Sequence, residues 1–98
     1  MILHVVLIRP RAASDDRAFS ALDRALAALP SKIAGIVDYR FGVNASPEGM
    51  DRGYDHGFVM TFESEAARDA YLPHPEHREI HPLVDAVAAE VLVFDLAI

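Results

Sequence analysis

The first and last hydrophobic segments of this chain carry apolar side chains on both faces. Residues 2–9 (ILHVVLIR) and 90–96 (EVLVFDL) are rich in β-branched and aliphatic residues, which favours a strand in both. Successive side chains of a strand point to opposite faces, so the alternation of Val5 and Leu7 with Val6 and Ile8 makes both faces apolar. A sheet that contains these strands therefore has two apolar faces, and each of them needs a cover.

Helix and strand signals alternate between these two segments, within a single domain over residues 1–98. Ser14 is a good N-cap residue for a first helix and Pro30 ends it, while Ser64 opens a second helix that stops before Pro73. The predicted strands are 2–9, 35–44, 54–62 and 90–96, the predicted helices are 14–29 and 64–71, and one or two helical turns, interrupted at Pro82, occupy 75–87. This β-α-β-β-α-β order predicts a ferredoxin-like α+β fold, an antiparallel sheet with helices on one face.

Helices on one face leave the other apolar face of this sheet without a cover. No further segment of the chain is long enough to provide one. We therefore expect a homodimer in which two sheets pack face to face, as in a dimeric α+β barrel. The alternative is a monomer with one sheet face in water, but so apolar a face would be sticky.

Charge and composition exclude several classes of protein. The formal net charge is −6, whereas nucleic-acid-binding proteins and proteins that bind anionic membrane surfaces usually carry a basic patch. There is no cysteine, so disulfides, thiol nucleophiles and thiolate metal ligands are excluded. No apolar run approaches about 20 residues and the start does not resemble a signal peptide, so we expect no membrane partner and a cytoplasmic location.

No motif for a bound cofactor is present, and we expect none. The glycine-rich phosphate and dinucleotide motifs and the GxSxG motif are all absent. His74, His77 and His81 lie close together, and the spacing of the last two suits one face of a helix. The prolines that flank them make the helix uncertain and no HExxH motif accompanies them, so we predict no metal site.

Two other histidines interrupt predicted strands. His4 and His56 lie on the first and third strands, the two central ones in this fold, and parity points both toward the same face. We expect them side by side at one end of a cavity, although satisfied core histidines are the equal alternative. Tyr71 ends the second helix just before the histidine-rich segment, and tyrosine and histidine together can perform acid–base chemistry. Asp95 interrupts the last strand, where it either ends the strand or partners a buried histidine.

Four segments that span nearly the whole chain resemble the stress-responsive A/B barrel (Dabb) family. They are residues 44–49 (NASPEG), 53–64 (GYDHGFVMTFES), 71–77 (YLPHPEH) and 93–95 (VFD). The GYDH and Y-x-x-H-P-x-H stretches are fairly specific in combination. The resemblance implies a dimeric α+β barrel, which agrees with strands that are apolar on both faces.

One branch of this family, the plant polyketide cyclases, closes a linear polyketide thioester by aldol condensation without a cofactor. The resemblance implies that His77 is the catalytic base and that Tyr71 hydrogen-bonds the substrate. It places His4 and His56 in a substrate pocket between sheet and helices. Two departures are visible: Leu26 stands where the cyclases have a second pocket tyrosine, and residues 78–81 (REIH) are charged rather than small and apolar.

Three functions remain open on these grounds. The first is a cofactor-free lyase or cyclase for a small hydrophobic carbonyl compound, with catalytic His77 and Tyr71. The predicted substrate-binding residues are His4, His56, Phe58, Leu26 and Asp95. The second is a non-catalytic stress-responsive dimeric domain, and the third is a cofactor-independent monooxygenase, which the same architecture also hosts. A cavity of several hundred Å³ that reaches both His77 and Tyr71 would favour an enzyme or a ligand-binding protein.

Overall fold

A computed structural model describes all 98 residues and has the predicted ferredoxin-like α+β fold. One four-stranded antiparallel sheet has the strand order β2-β3-β1-β4, so the first and third strands are central as expected. Four α-helices lie on one face of this sheet. The elements are β1 (Ile2–Pro10), α1 (Asp16–Ala27), β2 (Ile36–Val43), β3 (His56–Phe62), α2 (Glu65–Tyr71), α3 (Pro75–Arg78), α4 (His81–Val87) and β4 (Ala88–Ala97), with a 3-10 turn at Leu29–Ser31 after α1.

The predicted boundaries hold to within a few residues, with two local corrections. Asp15, not Ser14, caps α1, and its carboxylate accepts a hydrogen bond from the Ala18 amide at 2.8 Å. The Ser14 hydroxyl instead donates to the Arg11 carbonyl. Pro82 does not interrupt a helix, because it lies in the first turn of α4, where a missing N–H costs no hydrogen bond.

The helix-facing side of the sheet forms the core. Alternate residues of β1 and β3 point toward the helices, and the residues of β1 that do so, from Ile2 to Ile8, are all buried. The helices contribute the rest of a cluster of 14 buried apolar residues, including Leu22 and Leu26 from α1 and Tyr71 from α2. His4 is the one buried polar residue on this side.

The side of the sheet that faces away from the helices, here called the outer face, is apolar and uncovered in the single chain. Leu3, Val5 and Leu7 of β1 pair across the sheet with Leu96, Phe94 and Leu92 of β4. The three β4 side chains are exposed, Phe94 by 61%. A broad hollow of about 610 Å³ borders this stripe.

None of the four helices has the length and hydrophobicity that a membrane-spanning helix needs.

Candidate functional site

A cavity of about 250 Å³ lies between the helices and the sheet, over the central part of β1 and the neighbouring part of β4. Thirteen residues line it and nine of them are hydrophobic. The side chains with acid–base or hydrogen-bonding groups are His4 from β1, Tyr71 at the end of α2, His77 from α3, and His81 and Asp85 from α4. This is the pattern of a ligand site, a mostly apolar cavity with a few convergent polar groups.

The loop between α2 and α3 brings Tyr71 and His77 together. Ser64 caps α2 at its start, and Tyr71 lies in its last turn with the side chain 1% exposed. Pro75 begins α3, and the His74 imidazole caps that helix by accepting the Glu76 amide hydrogen bond at 3.1 Å. The Tyr71 and His77 rings therefore stack, with centroids 4.0 Å apart and an interplanar angle of 29°.

The hydrogen bonds of His77 define its tautomer. Its Nδ1 atom lies 3.0 Å from the carbonyl oxygen of Leu72, and because a carbonyl oxygen can only accept, Nδ1 carries the hydrogen. Burial lowers the pKa of His77, the hydrogen bond to Leu72 opposes this, and nearby His81 and His4 lower it further. His77 is therefore a neutral imidazole at neutral pH, with a lone pair on Nε2.

The Tyr71 hydroxyl is an unused hydrogen-bond donor. It makes no hydrogen bond within the chain, whereas every fully buried polar side-chain atom in the structure has a hydrogen-bond partner. The hydroxyl must therefore reach the accessible space of the cavity that Tyr71 lines. Burial raises the pKa of Tyr71, so the phenol stays protonated and can donate to a ligand.

His4 is held by a chain of two charged side chains. Its Nδ1 atom lies 2.6 Å from Asp95 Oδ1, and Asp95 Oδ2 accepts a hydrogen bond from Arg68 Nη1 at 2.6 Å. His4 and Asp95 are direct cross-strand partners in β1 and β4. An ionised carboxylate only accepts, so His4 donates from Nδ1, and in the neutral imidazole Nε2 carries the lone pair. The His4 and Tyr71 rings also form a T-shaped pair, with centroids 6.0 Å apart.

His56 does not join this group, which corrects its predicted position beside His4. In the register of β1 and β3, His4 pairs with Met60 and His56 pairs with Ile8. The two histidines are thus four residues apart along β1, or about 13 Å. His56 stacks on Phe19 of α1 with centroids 3.8 Å apart, and it does not line the cavity.

The remaining predicted site residues divide into two groups. Leu26 and Phe58 line the cavity as apolar wall residues. Asp95 does not line it, because its carboxylate is occupied by His4 and Arg68. Arg68 was not singled out from the sequence, although its position three residues before Tyr71 places it on the same side of α2.

The histidine-rich segment is not arranged as a metal centre. His74 caps α3 and His77 donates to a backbone carbonyl, while His81 meets His77 edge-on with ring centroids 5.0 Å apart. No group of three or more His, Cys, Asp or Glu side chains is placed to hold one ion.

Comparison with known proteins identifies the family. The family model described as Stress responsive A/B Barrel Domain matches residues 2–98. The chain is 30% identical over 94 residues to the stress-response A/B barrel domain-containing protein HS1 of Arabidopsis thaliana, covering 96% of this chain and 86% of HS1.

Solved structures agree with this match. The crystal structure of At3g17210 from Arabidopsis thaliana superposes with a TM-score of 0.92 at 28% identity, covering 100% of this chain and 95% of that one. A dimeric ferredoxin-like protein of unknown function from Jannaschia sp. CCS1 superposes with a TM-score of 0.79, also at 28% identity, covering 99% and 98%. The chain therefore belongs to the stress-responsive A/B barrel domain family.

Proposed function

We propose that the cavity binds a small, uncharged carbonyl compound and that Tyr71 and His77 catalyse a cofactor-free lyase or cyclase reaction on it. One observation carries this proposal: an unpartnered, protonated phenol lies against a neutral imidazole whose Nε2 is free, in the same apolar cavity. A general acid–base pair for carbonyl chemistry needs such a donor and such an acceptor within reach of one ligand.

The proposed reaction begins with proton transfer from carbon to nitrogen. Tyr71 donates a hydrogen bond to the carbonyl oxygen, and His77 Nε2 removes a proton from the adjacent carbon. The C–H electron pair becomes the enolate, whose oxygen Tyr71 stabilises. The enolate carbon then attacks a second carbonyl of the same molecule, and the protonated His77 returns its proton to the new alkoxide. A lyase runs this carbon–carbon bond step in reverse.

The walls of the cavity favour a neutral ligand. No lysine or arginine lines it, and Asp85 brings the one carboxylate, so a ligand carboxylate or phosphate would be buried without a counter-charge. Leu26 and Phe58 offer apolar contacts instead. A volume of about 250 Å³ lies just below the usual range of about 300–1,000 Å³ for drug-sized ligands, which indicates a small compound.

Deuterium exchange of a simple ketone tests the proposal. Acetophenone is incubated with the protein in D₂O, and loss of its methyl proton signal is followed by NMR. We expect the wild-type protein to accelerate exchange, and His77→Ala and Tyr71→Phe to lower that acceleration about 100-fold, within the usual contribution of a general acid or base of about 10²–10⁴-fold. His56→Gln, which changes a histidine outside the cavity, should retain the wild-type acceleration of exchange.

Matched ligands make the test specific. The anion 4-acetylbenzoate carries the same methyl ketone and should exchange at least about tenfold more slowly, because the cavity lacks a cation. Exchange at the uncatalysed rate with the wild-type protein, or equal rates for His77→Ala and wild type, would contradict an acid–base function. Saturable binding without exchange would favour the non-catalytic ligand-binding domain.

We also propose that the chain is a homodimer through its outer face. The stripe formed by Leu3, Val5 and Leu7 with their β4 partners is too apolar to face water, and the Jannaschia relative is described as dimeric. A stable interface buries about 1,200–2,000 Å² in total, and we expect the dimer to bury an area of this order.

Light scattering on a charged variant tests the dimer. The wild-type protein should have about twice the 10.8 kDa chain mass at micromolar concentration. Phe94→Asp places a charge in the outer face and should give monomers, whereas Ser20→Asp adds the same charge on α1 and should not. A wild-type mass of one chain would contradict the proposal.

A further inference from the structure

Arg68 connects helix α2 to the two strands beneath it through one carboxylate. Arg68 Nη1 donates to Asp95 Oδ2 at 2.6 Å, and His4 Nδ1 donates to Asp95 Oδ1 at 2.6 Å, so each carboxylate oxygen has its own partner. Arg68 Nε donates to Asp69 at 2.9 Å, which fixes the other side of the guanidinium. The Arg68 and Asp95 side chains are only 20% and 23% exposed, so water competes weakly for these bonds.

The ionised Asp95 carboxylate determines which tautomer of the His4 imidazole faces the cavity. A carboxylate with both oxygens accepting leaves His4 only the tautomer with hydrogen on Nδ1. Burial alone would raise the pKa of Asp95, but the hydrogen bonds from Arg68 and His4 outweigh it and hold the pKa below its usual value. Arg68 thus holds the Asp95 carboxylate in place, with its other oxygen toward His4.

We propose that Arg68 is a positioning residue, which acts through Asp95 to hold His4 as a second proton acceptor in the cavity. This inference rests on the proposed function, in which His77 is the first acceptor. His4 is 5% exposed, and its Nε2 has no hydrogen-bond partner in the chain. Every fully buried polar side-chain atom does have such a partner, so Nε2 must reach accessible space. The His4 and Tyr71 rings meet in a T-shaped arrangement, and the His77 ring stacks on Tyr71.

Two histidine rings that both contact the Tyr71 ring restrict the chemistry of the proposed ligand further. A ligand that uses all three groups has a carbonyl oxygen for Tyr71 and two acidic hydrogens near it, one for each imidazole. A 1,3-dicarbonyl compound or a carbonyl compound with a neighbouring hydroxyl meets this description. A simple ketone such as acetophenone has acidic hydrogens on one side only and engages one acceptor at a time.

Imidazole nitrogen NMR at pH 8 measures the tautomer of His4 directly. The wild-type protein should show hydrogen on Nδ1 of His4. Arg68→Leu leaves Asp95 ionised but frees its carboxylate to turn away from His4, so this variant should show a mixture of both tautomers. Arg68→Lys keeps the charge and a donor and should restore most of the wild-type signal. Arg17→Leu removes an exposed arginine on α1 and should leave the His4 signal unchanged.

Asp95→Asn gives a sharper test, because it reverses the direction of the hydrogen bond to His4. Arg68 should claim the amide oxygen, which turns the NH₂ group toward His4 and forces hydrogen onto Nε2. In the double variant Arg68→Leu/Asp95→Asn the amide is free to turn round, so His4 should regain hydrogen on Nδ1. Identical His4 spectra for Asp95→Asn and the double variant would overturn the role of Arg68.

Ketone exchange separates this inference from the proposed function. We expect Arg68→Leu to lower the exchange rate of hydroxyacetone, a neutral carbonyl compound with a neighbouring hydroxyl, about tenfold, with rescue by Arg68→Lys. If His77→Ala abolishes exchange while Arg68→Leu changes neither rate nor tautomer, the inference fails and the proposed function stands. If the tautomer responds but the wild-type protein exchanges no ketone, the proposed function fails, and with it the role of His4 as a proton acceptor.

Discussion

His4 and His56 occupy the same face of adjacent central strands, yet the two ends of that face differ in what surrounds the imidazole. At the His4 end, Asp95 fixes one ring nitrogen and the other is left for the cavity. At the His56 end, Phe19 covers the ring at a centroid distance of 3.8 Å, and Asp55, its sequence neighbour, accepts from Nδ1. The residue type is the same at both ends, and the helices above decide which histidine faces the cavity between the helices and the sheet.

Replacement of each histidine should give the largest difference in the free energy of unfolding between the two ends. His4→Leu leaves the partly buried Asp95 without one hydrogen-bond partner, and we expect it to lower the free energy of unfolding by about 2 kcal/mol. His56→Leu leaves Asp55, which is half exposed, and should cost less than about 1 kcal/mol. Urea denaturation measures both, and equal losses would contradict the difference between the two ends.

The pH dependence of stability should come from the cavity end. Because burial lowers the pKa of His77 below 6.5, the folded state binds fewer protons than the unfolded state in mild acid. The contribution of His77 is complete above pH 6.5 and is lost as the pH falls below that value. His77→Leu should flatten the decline in stability between pH 7.5 and 5, measured by urea denaturation at each pH.

The smallest expected effect concerns two tyrosines, the partly buried Tyr39 and the buried Tyr71. The Tyr39 hydroxyl donates to Asp23 at 2.8 Å, so Tyr39→Phe should lower the free energy of unfolding by about 1 kcal/mol. The Tyr71 hydroxyl has no partner, so Tyr71→Phe should change it by less than about 0.5 kcal/mol. Thermal and urea unfolding compare the two variants. A loss for Tyr71→Phe as large as that for Tyr39→Phe would show that the Tyr71 hydroxyl is used within the fold.

Local patterns predicted the faces of the sheet but not its register. Alternation along β1 and β3 correctly placed His4 and His56 on the helix side, because side-chain direction depends only on parity. The pairing of His4 with Met60 and of His56 with Ile8 could not be predicted. β1 and β3 are not joined by a tight turn, so no turn geometry fixes which residues face each other.

Contacts between distant elements were the other part that sequence reasoning missed. Tyr71 and His77 are six residues apart, and the prolines between them already suggested a stiff turn. Arg68 and Asp95 are 27 residues apart, on a helix and an edge strand, and their ion pair depends on how α2 lies across the sheet. The same applies to Asp85 of α4, which lines the cavity without any motif to indicate it.

Chemical-shift mapping with acetophenone shows directly which end of the helix-facing side of the sheet binds a ligand. Labelled protein is titrated with the ketone while ring signals of His4, Tyr71, His77 and His56 are followed. We expect saturable shifts at His4, Tyr71 and His77, and none at His56 or on the outer face. Saturable shifts confined to His56 and Phe19, or to the outer face, would contradict this expectation.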